Sequence, residues 1–233
     1  MAVEVNFAAD VAGRNRGQAD ARCPHVIFRN VLGAETVAGL LDHVAARRKD
    51  FRSAVVRNRS SGLRRVDYGL RNCSYLTDLG PFEAPIKTFV HNIADQTLTQ
   101  LHLVEPAVEP RDFEITVYRD GEHFGAHIDT DERLEQARIL SCVYYFAATP
   151  RRFTGGELRL HGLPTLSAKK GGAPAPFVDV VPETDTLIAF PSWLRHEVLP
   201  VRVPSGVWAD GRFTINCWIH RVSPPAGETS AAP

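Results

Sequence analysis

The tightest constraint in this chain is a pair of side chains two residues apart, His127 and Asp129. They end the run Tyr118-Arg119-Asp120-Gly121-Glu122-His123-Phe124-Gly125-Ala126-His127-Ile128-Asp129. On an extended backbone, residues i and i+2 project to one face, so the two side chains point together. A third residue of the same chemical kind, His196, lies far downstream in Pro191-Ser192-Trp193-Leu194-Arg195-His196-Glu197-Val198. Two histidines and a carboxylate can occupy one face of a metal and leave its other positions open. That suits non-heme Fe(II) working with dioxygen and a co-substrate. His196 can join the pair only if its strand is brought alongside from elsewhere in the chain.

The texture of the sequence changes after Pro110. Short runs rich in Val, Ile, Tyr and Phe alternate with turn residues over 113–118, 139–146, 157–160, 186–190 and 212–219. Spaced strands of this kind argue for a β sandwich or barrel. Upstream, 24–32 reads as a strand running into a turn. The spacing of Val37, Leu40, Leu41 and Val44 predicts a helix over 34–48, with basic residues at its C-terminal end. A second helix is expected over 82–101. Pro85 suits its first turn, and Ile86, Phe89, Val90, Ile93, Ala94 and Leu101 form its apolar face. Residues 1 to about 20 are polar and unpatterned, 167–176 reads as a surface loop, and the tail from Ser223 reads as disordered. Pattern alone stops at a mostly β second half with two helices in the first.

Two further motifs stand between and after the candidate ligands. Thr154-Gly155-Gly156-Glu157-Leu158-Arg159-Leu160 lies midway, and Arg212-Phe213-Thr214-Ile215-Asn216-Cys217-Trp218-Ile219 forms a last alternating strand that begins with an arginine. The order is His-X-Asp, Gly-Gly-Glu-Leu, Phe-Pro-X-X-X-X-His-Glu-Val, then Arg opening a strand. It resembles the catalytic domain of the Fe(II)- and 2-oxoglutarate-dependent dioxygenases, in the prolyl 4-hydroxylase-like family. The resemblance is close over residues 111–222 and looser over 24–110. It implies an α+β, mainly β fold: a double-stranded β-helix, or jelly roll, with N-terminal supporting helices. The domain plan it implies is a flexible N-terminus (1–20), a helical and hairpin support with a substrate lid (21–110), the jelly-roll core (111–222) and a disordered tail (223–233).

By the resemblance, His127, Asp129 and His196 are the metal ligands. The reaction is oxidative decarboxylation of 2-oxoglutarate by dioxygen, coupled to hydroxylation of an unactivated C–H bond, with ascorbate as a stimulant. The distal carboxylate of 2-oxoglutarate calls for a bidentate cation, and Arg212 matches. The family usually places this residue about ten positions after the distal histidine; here the gap is sixteen, and 204–211 reads as a lengthened turn that accounts for it. Arg202 is the rival. Tyr145 matches a tyrosine donating to the same carboxylate, and Tyr144 must face the opposite side of the sheet. Tyr118 matches a tyrosine lining the pocket, Trp218 one near the iron. Trp193 and Arg195 are expected in the pocket wall. Halogenases of this superfamily typically lack the carboxylate, so Asp129 favours hydroxylation.

Composition narrows the classes further. Lys plus Arg and Asp plus Glu are both 27, a formal net charge of zero, so no global charge argues for nucleic acid. The second-arginine pattern of nucleic-acid demethylases is also absent. No apolar run approaches the roughly 20 residues of a membrane span, and the first residues lack a secretory signal. The four scattered cysteines (Cys23, Cys73, Cys142, Cys217) suit reduced thiols in the cytoplasm. Locally, 47–72 carries nine basic residues against Asp50 and Asp67, and 54–76 reads as a hairpin around Ser60-Ser61-Gly62. Arg57, Arg59 and Arg71 on that hairpin would favour a substrate with a carboxylate, a phosphate or an acidic flank. The expected function is hydroxylation of a small molecule, amino acid or carrier-bound intermediate. The alternatives are a peptidyl prolyl or other side-chain hydroxylase and a non-catalytic metal-binding jelly roll.

Overall fold

The computed structural model describes residues 5–6, 23–57, 64–105, 107–130, 138–162 and 176–222. Strands β1 (Val5–Asn6) and β2 (Val26–Arg29) precede helix α1 (Ala34–Ala46). Short strands β3 (Arg52–Ser53), β4 (Val56–Arg57), β5 (Arg64–Arg65), β6 (Arg71–Asn72) and β7 (Ser74–Leu76) lead into helix α2 (Glu83–Gln100). Then come β8 (Val108–Tyr118), β9 (His123–His127), β10 (Arg138–Phe146), β11 (Thr154–Gly155) and β12 (Leu158–His161). The last are β13 (Phe177–Val180), β14 (Thr186–Pro191), β15 (His196–Val198), β16 (Val201–Arg202) and β17 (Arg212–Arg221).

Two antiparallel sheets face each other, as expected of a jelly roll. The larger runs in the order β1-β2-β14-β10-β17-β8-β7-β3, the smaller β13-β12-β15-β9-β6. Period-2 alternation sorts the large sheet into two faces. Leu140, Cys142, Tyr144, Ile215 and Cys217 pack outward with Leu40 and Val44 of α1 and Ile86 and Val90 of α2. Tyr145, Ile188 and Phe190 face inward with Leu158, Leu160 and Val198 of the smaller sheet. The helices therefore cover one side of the large sheet, and the space between the sheets is left for a site. Phe28 and Phe89 meet edge to face at 6.0 Å where α2 lies on β2.

Helix α1 is fixed at its start by Asp185, in the turn just before β14. The amides of Leu32 and Gly33 donate to the Asp185 carboxylate at 2.8 and 3.0 Å, and Tyr144 donates its hydroxyl to the same group at 2.9 Å. Tyr144 is thereby spent on the outer face, away from Tyr145.

Several elements differ from the sequence expectation. Strand β8 begins at Val108, upstream of the expected 113. Strands β9, β13 and β15 carry weak sequence signals: His123-Phe124-Gly125-Ala126-His127 has no β-branched residue. Val5 and Asn6, in the segment expected to be loose, pair with Phe28 and Ile27. The rest of 1–20, the 167–175 part of the expected loop and the tail from Ser223 lie outside the described residues. The four cysteines are buried and none is in a disulfide, with Cys142 opposite Cys217. No helix among the described residues is long and apolar enough to cross a membrane.

Leu40 is fully buried where α1 meets the sheet. Leu40→Ala is expected to destabilise the protein by about 2–5 kcal/mol, measured by urea denaturation. A loss under about 1 kcal/mol would show that α1 is not packed as described.

Candidate functional site

The pairing of β15 with β9 places His196 opposite His127. Asp129 follows two residues after the end of β9, where its amide donates to the Ser192 carbonyl at 2.9 Å. One ligand atom from each of the three side chains lies within 4.8 Å of the others. His127 Nε2 stands 3.4 Å from Asp129 Oδ1, and His196 Nε2 stands 3.5 Å from Asp129 Oδ2. The Nδ1 of His127 contacts the Gly125 carbonyl at 2.9 Å, and that of His196 the Leu194 carbonyl at 2.8 Å. Each Nδ1 therefore carries its proton, and each Nε2 is left as a lone-pair donor aimed at the common centre.

Burial would raise the Asp129 carboxyl, but His196, His127 and the Trp218 indole together hold it well below the usual carboxylate range. Burial pulls the His196 imidazole down to about 4, against the opposing pull of Asp129. A charged carboxylate and a neutral imidazole are the forms a metal needs. Ser141 and Trp218 both donate to Asp129 Oδ2, at 2.7 and 2.8 Å, and Ser141 is itself within 2.9 Å of the Ser192 hydroxyl. These donors fix the carboxylate's rotation.

The triad opens into a cavity of about 1040 Å³ between the sheets. Its floor is a ladder of inward-facing residues on neighbouring strands. Arg212 stands opposite Tyr118 and Thr214 opposite Tyr145; Asn216 lies between Glu114 and Val143. Arg212 is 1% exposed, its guanidinium 5.1 Å from both the Tyr118 and Tyr145 ring centres. Among the described residues, Arg212 Nε and Nη2, Tyr145 Oη and Thr214 Oγ1 are buried with no hydrogen-bond partner. Burial pushes the Tyr145 phenol up to about 12, despite the lowering pull of Arg212, so it remains a donor.

Gly156 explains the Gly-Gly motif. Its φ is +69°, and a Cβ there would meet Arg212 Cδ at 2.6 Å and Val201 Cγ2 at 2.9 Å. Only glycine lets the arginine's stem lie where it does. The rival Arg202 sits exposed on β16, paired with the small strand β11.

Tyr118, Arg71, Arg195 and Trp218 line the cavity together with the triad and Arg212. Trp193 does not. Alternation from Ser192 to His196 buries Ser192, Leu194 and His196 and turns Trp193 outward, 40% exposed; the long Arg195 side chain still reaches the rim. The β4–β5 pairing of Val56 with Arg65 and Arg57 with Arg64 gives the expected hairpin. Arg59 and the Arg57 side chain lie outside the described residues. Much of the basic run is compensated: Arg47 pairs with Asp50 and Asp78, Arg65 with Asp67 and Arg71 with Glu114. Ser141, Thr214, Glu114 and Asn216 were not anticipated. The signal for Ser141 and Thr214 was present, since each lies two or four residues from a candidate on the same strand and so shares its face.

Comparison with known proteins agrees with this geometry. Residues 113–220 match the sequence model of the 2OG-Fe(II) oxygenase superfamily. An uncharacterised PKHD-type hydroxylase of Synechocystis is 33% identical over 126 residues, 54% of this chain; the chain spans only 41% of that relative. A prolyl-4-hydroxylase of Pseudomonas putida shares the fold with a TM-score of 0.59 at 19% identity, over 85% of this chain and 93% of that one. A Trichoplax adhaerens prolyl hydroxylase, solved with a hypoxia inducible factor peptide, gives 0.57 at 17% identity over 84% and 83%.

Trp218→Phe keeps a ring in place but removes a donor from Asp129. Fe(II) affinity is expected to fall about 10- to 100-fold, read by anaerobic metal titration. Unchanged affinity would mean that this bond does not orient the carboxylate.

Proposed function

We propose, on the match of residues 113–220 to the 2OG-Fe(II) oxygenase superfamily, that the chain is a 2-oxoglutarate-dependent dioxygenase that hydroxylates an unactivated C–H bond of a small molecule, amino acid or carrier-bound intermediate. The observation that carries this reading is Arg212. A buried guanidinium with two unpartnered nitrogens is costly, by several kcal/mol, unless an anion arrives to pair with it. Tyr145 and Thr214 present further unpaired groups beside it. Planar donors around a dry pocket end fit a carboxylate, and the distal carboxylate of 2-oxoglutarate supplies one.

His127, Asp129 and His196 would hold Fe(II) through two neutral nitrogens and one carboxylate oxygen, a ligand set that suits this metal. When bound, the metal and 2-oxoglutarate split dioxygen so that one oxygen atom enters the substrate C–H bond as hydroxyl and the other enters succinate, with release of carbon dioxide. The chain's own residues bind and orient. Ser141 and Trp218 set the Asp129 carboxylate, and the Gly125 and Leu194 carbonyls set the imidazole tautomers. Arg212 and Tyr145 fix the far end of the co-substrate; Tyr118 and Val143 wall the space between. Ascorbate is expected to stimulate turnover. The four buried cysteines, none in a disulfide, fit a reducing compartment such as the cytoplasm.

Arg212→Ala is expected to raise the 2-oxoglutarate concentration for half-maximal succinate formation by about 10- to 150-fold, the size of a lost charge-assisted bond. Tyr145→Phe removes one neutral donor and is expected to cost less. A larger effect from Arg202→Ala than from Arg212→Ala would overturn this placement of the co-substrate.

A further inference from the structure

Among the cavity residues outside the triad and the Arg212 cradle is a buried ion pair. Arg71 on β6 and Glu114 on β8 meet at 2.8 Å, each side chain only 16% exposed. Their strands belong to different sheets, so the pair closes the gap between the layers along the cavity wall. An ion pair this dry adds little net stability, because desolvation cancels much of the Coulomb gain. It is also incomplete. Arg71 Nη2 donates to Glu114 Oε1 and Nη1 reaches the Val55 carbonyl at 3.5 Å, while the buried Nε has no partner among the described residues. Glu114 accepts from Arg71, and from Thr116 at 3.5 Å, both through Oε1. The wall thus offers a donor edge and an acceptor edge side by side.

The pair stands on the cavity wall beside Phe124 and Tyr118. Arg71 lies over the Phe124 ring at 5.0 Å, and Phe124 stacks on His127 at 3.6 Å. A single ring therefore separates the pair from a metal ligand. On the floor, Glu114 is opposite Asn216, which is opposite Val143 of β10; Ser141, bonded to Asp129, is the next inward residue on β10. Neighbouring strands lie about 4.8 Å apart, so Glu114 is about 10 Å across the sheet from the strand that carries Ser141.

Charge narrows the ligand further. Arg71, Arg138, Arg195 and Arg212 line the cavity with Asp112, Glu114 and Asp129. Arg138 is held by Asp112, and Arg71 by Glu114. Fe(II) and 2-oxoglutarate bring equal and opposite charges. The lining thus keeps one net positive charge, too little to favour a multiply charged anion, and at Arg71 and Glu114 it presents both signs side by side.

We infer that Arg71 and Glu114 recognise the head group of a free α-amino acid, its carboxylate on Arg71 and its ammonium on Glu114. This rests on the oxygenase reading above. It refines the expectation of an anionic substrate: the arginine does take a carboxylate, but Glu114 requires a cation beside it. With the head group held about 10 Å across from the triad side, the carbon presented for oxidation belongs to the amino acid's side chain.

The test uses the full chain with Fe(II) under anaerobic conditions. Addition of 2-oxoglutarate is followed by the visible charge-transfer band of its chelate, and calorimetry then measures binding of each of the twenty free L-amino acids and of their N-acetyl and carboxamide forms. The expected result is the chelate band, binding of one or a few free amino acids, and loss of that binding on blocking either end. Glu114→Gln and Arg71→Gln should each weaken the amino acid by about 10- to 150-fold. The charge-swapped double variant Arg71→Glu, Glu114→Arg keeps an ion pair and should regain the stability lost in either single variant without regaining amino-acid binding. A missing chelate band sinks the oxygenase reading and this inference with it. A chelate band with no amino-acid binding, or with equal binding of blocked forms as a peptide substrate would give, overturns this inference alone. Amino-acid affinity restored by the charge swap would also overturn it, since the pair would then be structural.

Discussion

The register of β15 against β9 is the constraint on which the site depends. His196 lies directly opposite His127, and a slip by one residue would turn every side chain of β15 to the other face. Two features hold that register. Strand β12 pairs with β15 on its other edge, Leu160 opposite His196, and Phe190 sets its ring edge to face against the His196 imidazole at 4.7 Å. Around the three ligands the fold supplies stiff partners: two backbone carbonyls, a serine hydroxyl and an indole N–H. The site is thus carried by sheet geometry, with little left to mobile side chains.

A second constraint is the electrostatic cost of the cavity. Arg212 is buried and only partly satisfied, Asp129 is ionised in a dry place, and Arg71 and Glu114 are paired without being saturated. Each would be unfavourable in a protein that bound nothing. The helices, on the far face of the large sheet, bury the apolar residues that offset this. Function and stability are therefore divided between the two faces of one sheet, and period-2 alternation makes the division.

Much of this was legible in the sequence, and the limits have physical causes. The two helices announce themselves through apolar residues at helical spacing, and the long strands β8, β10 and β17 through β-branched alternation. His127, Asp129 and Arg212 were read from the order of motifs that carries the family resemblance; the i, i+2 spacing adds only that the first two share a face. The extra residues before Arg212 form a turn with a short 3-10 helix, Trp208–Asp210, so the strand still delivers the arginine to the cavity. What alternation cannot reveal is a contact between distant strands. The pairing of Arg71 with Glu114 and the fit of Gly156 under Arg212 depend on tertiary placement. For the same reason the basic run looked more uniformly positive in the sequence than it is in space, where Asp50, Asp78, Asp67 and Glu114 answer its arginines. Trp193 misled because its sequence neighbour His196 is in the site while the turn carries the indole outward.

The proposed chemistry uses Fe(II), 2-oxoglutarate and dioxygen together at one centre. The most direct measurement is mass spectrometry of succinate formed under ¹⁸O₂ by the Fe(II)-loaded protein, with or without an oxidisable substrate present. The account predicts succinate carrying one ¹⁸O atom, formed in proportion to oxygen consumed. Succinate without label, or none formed while Fe(II) and 2-oxoglutarate are both bound, would contradict it.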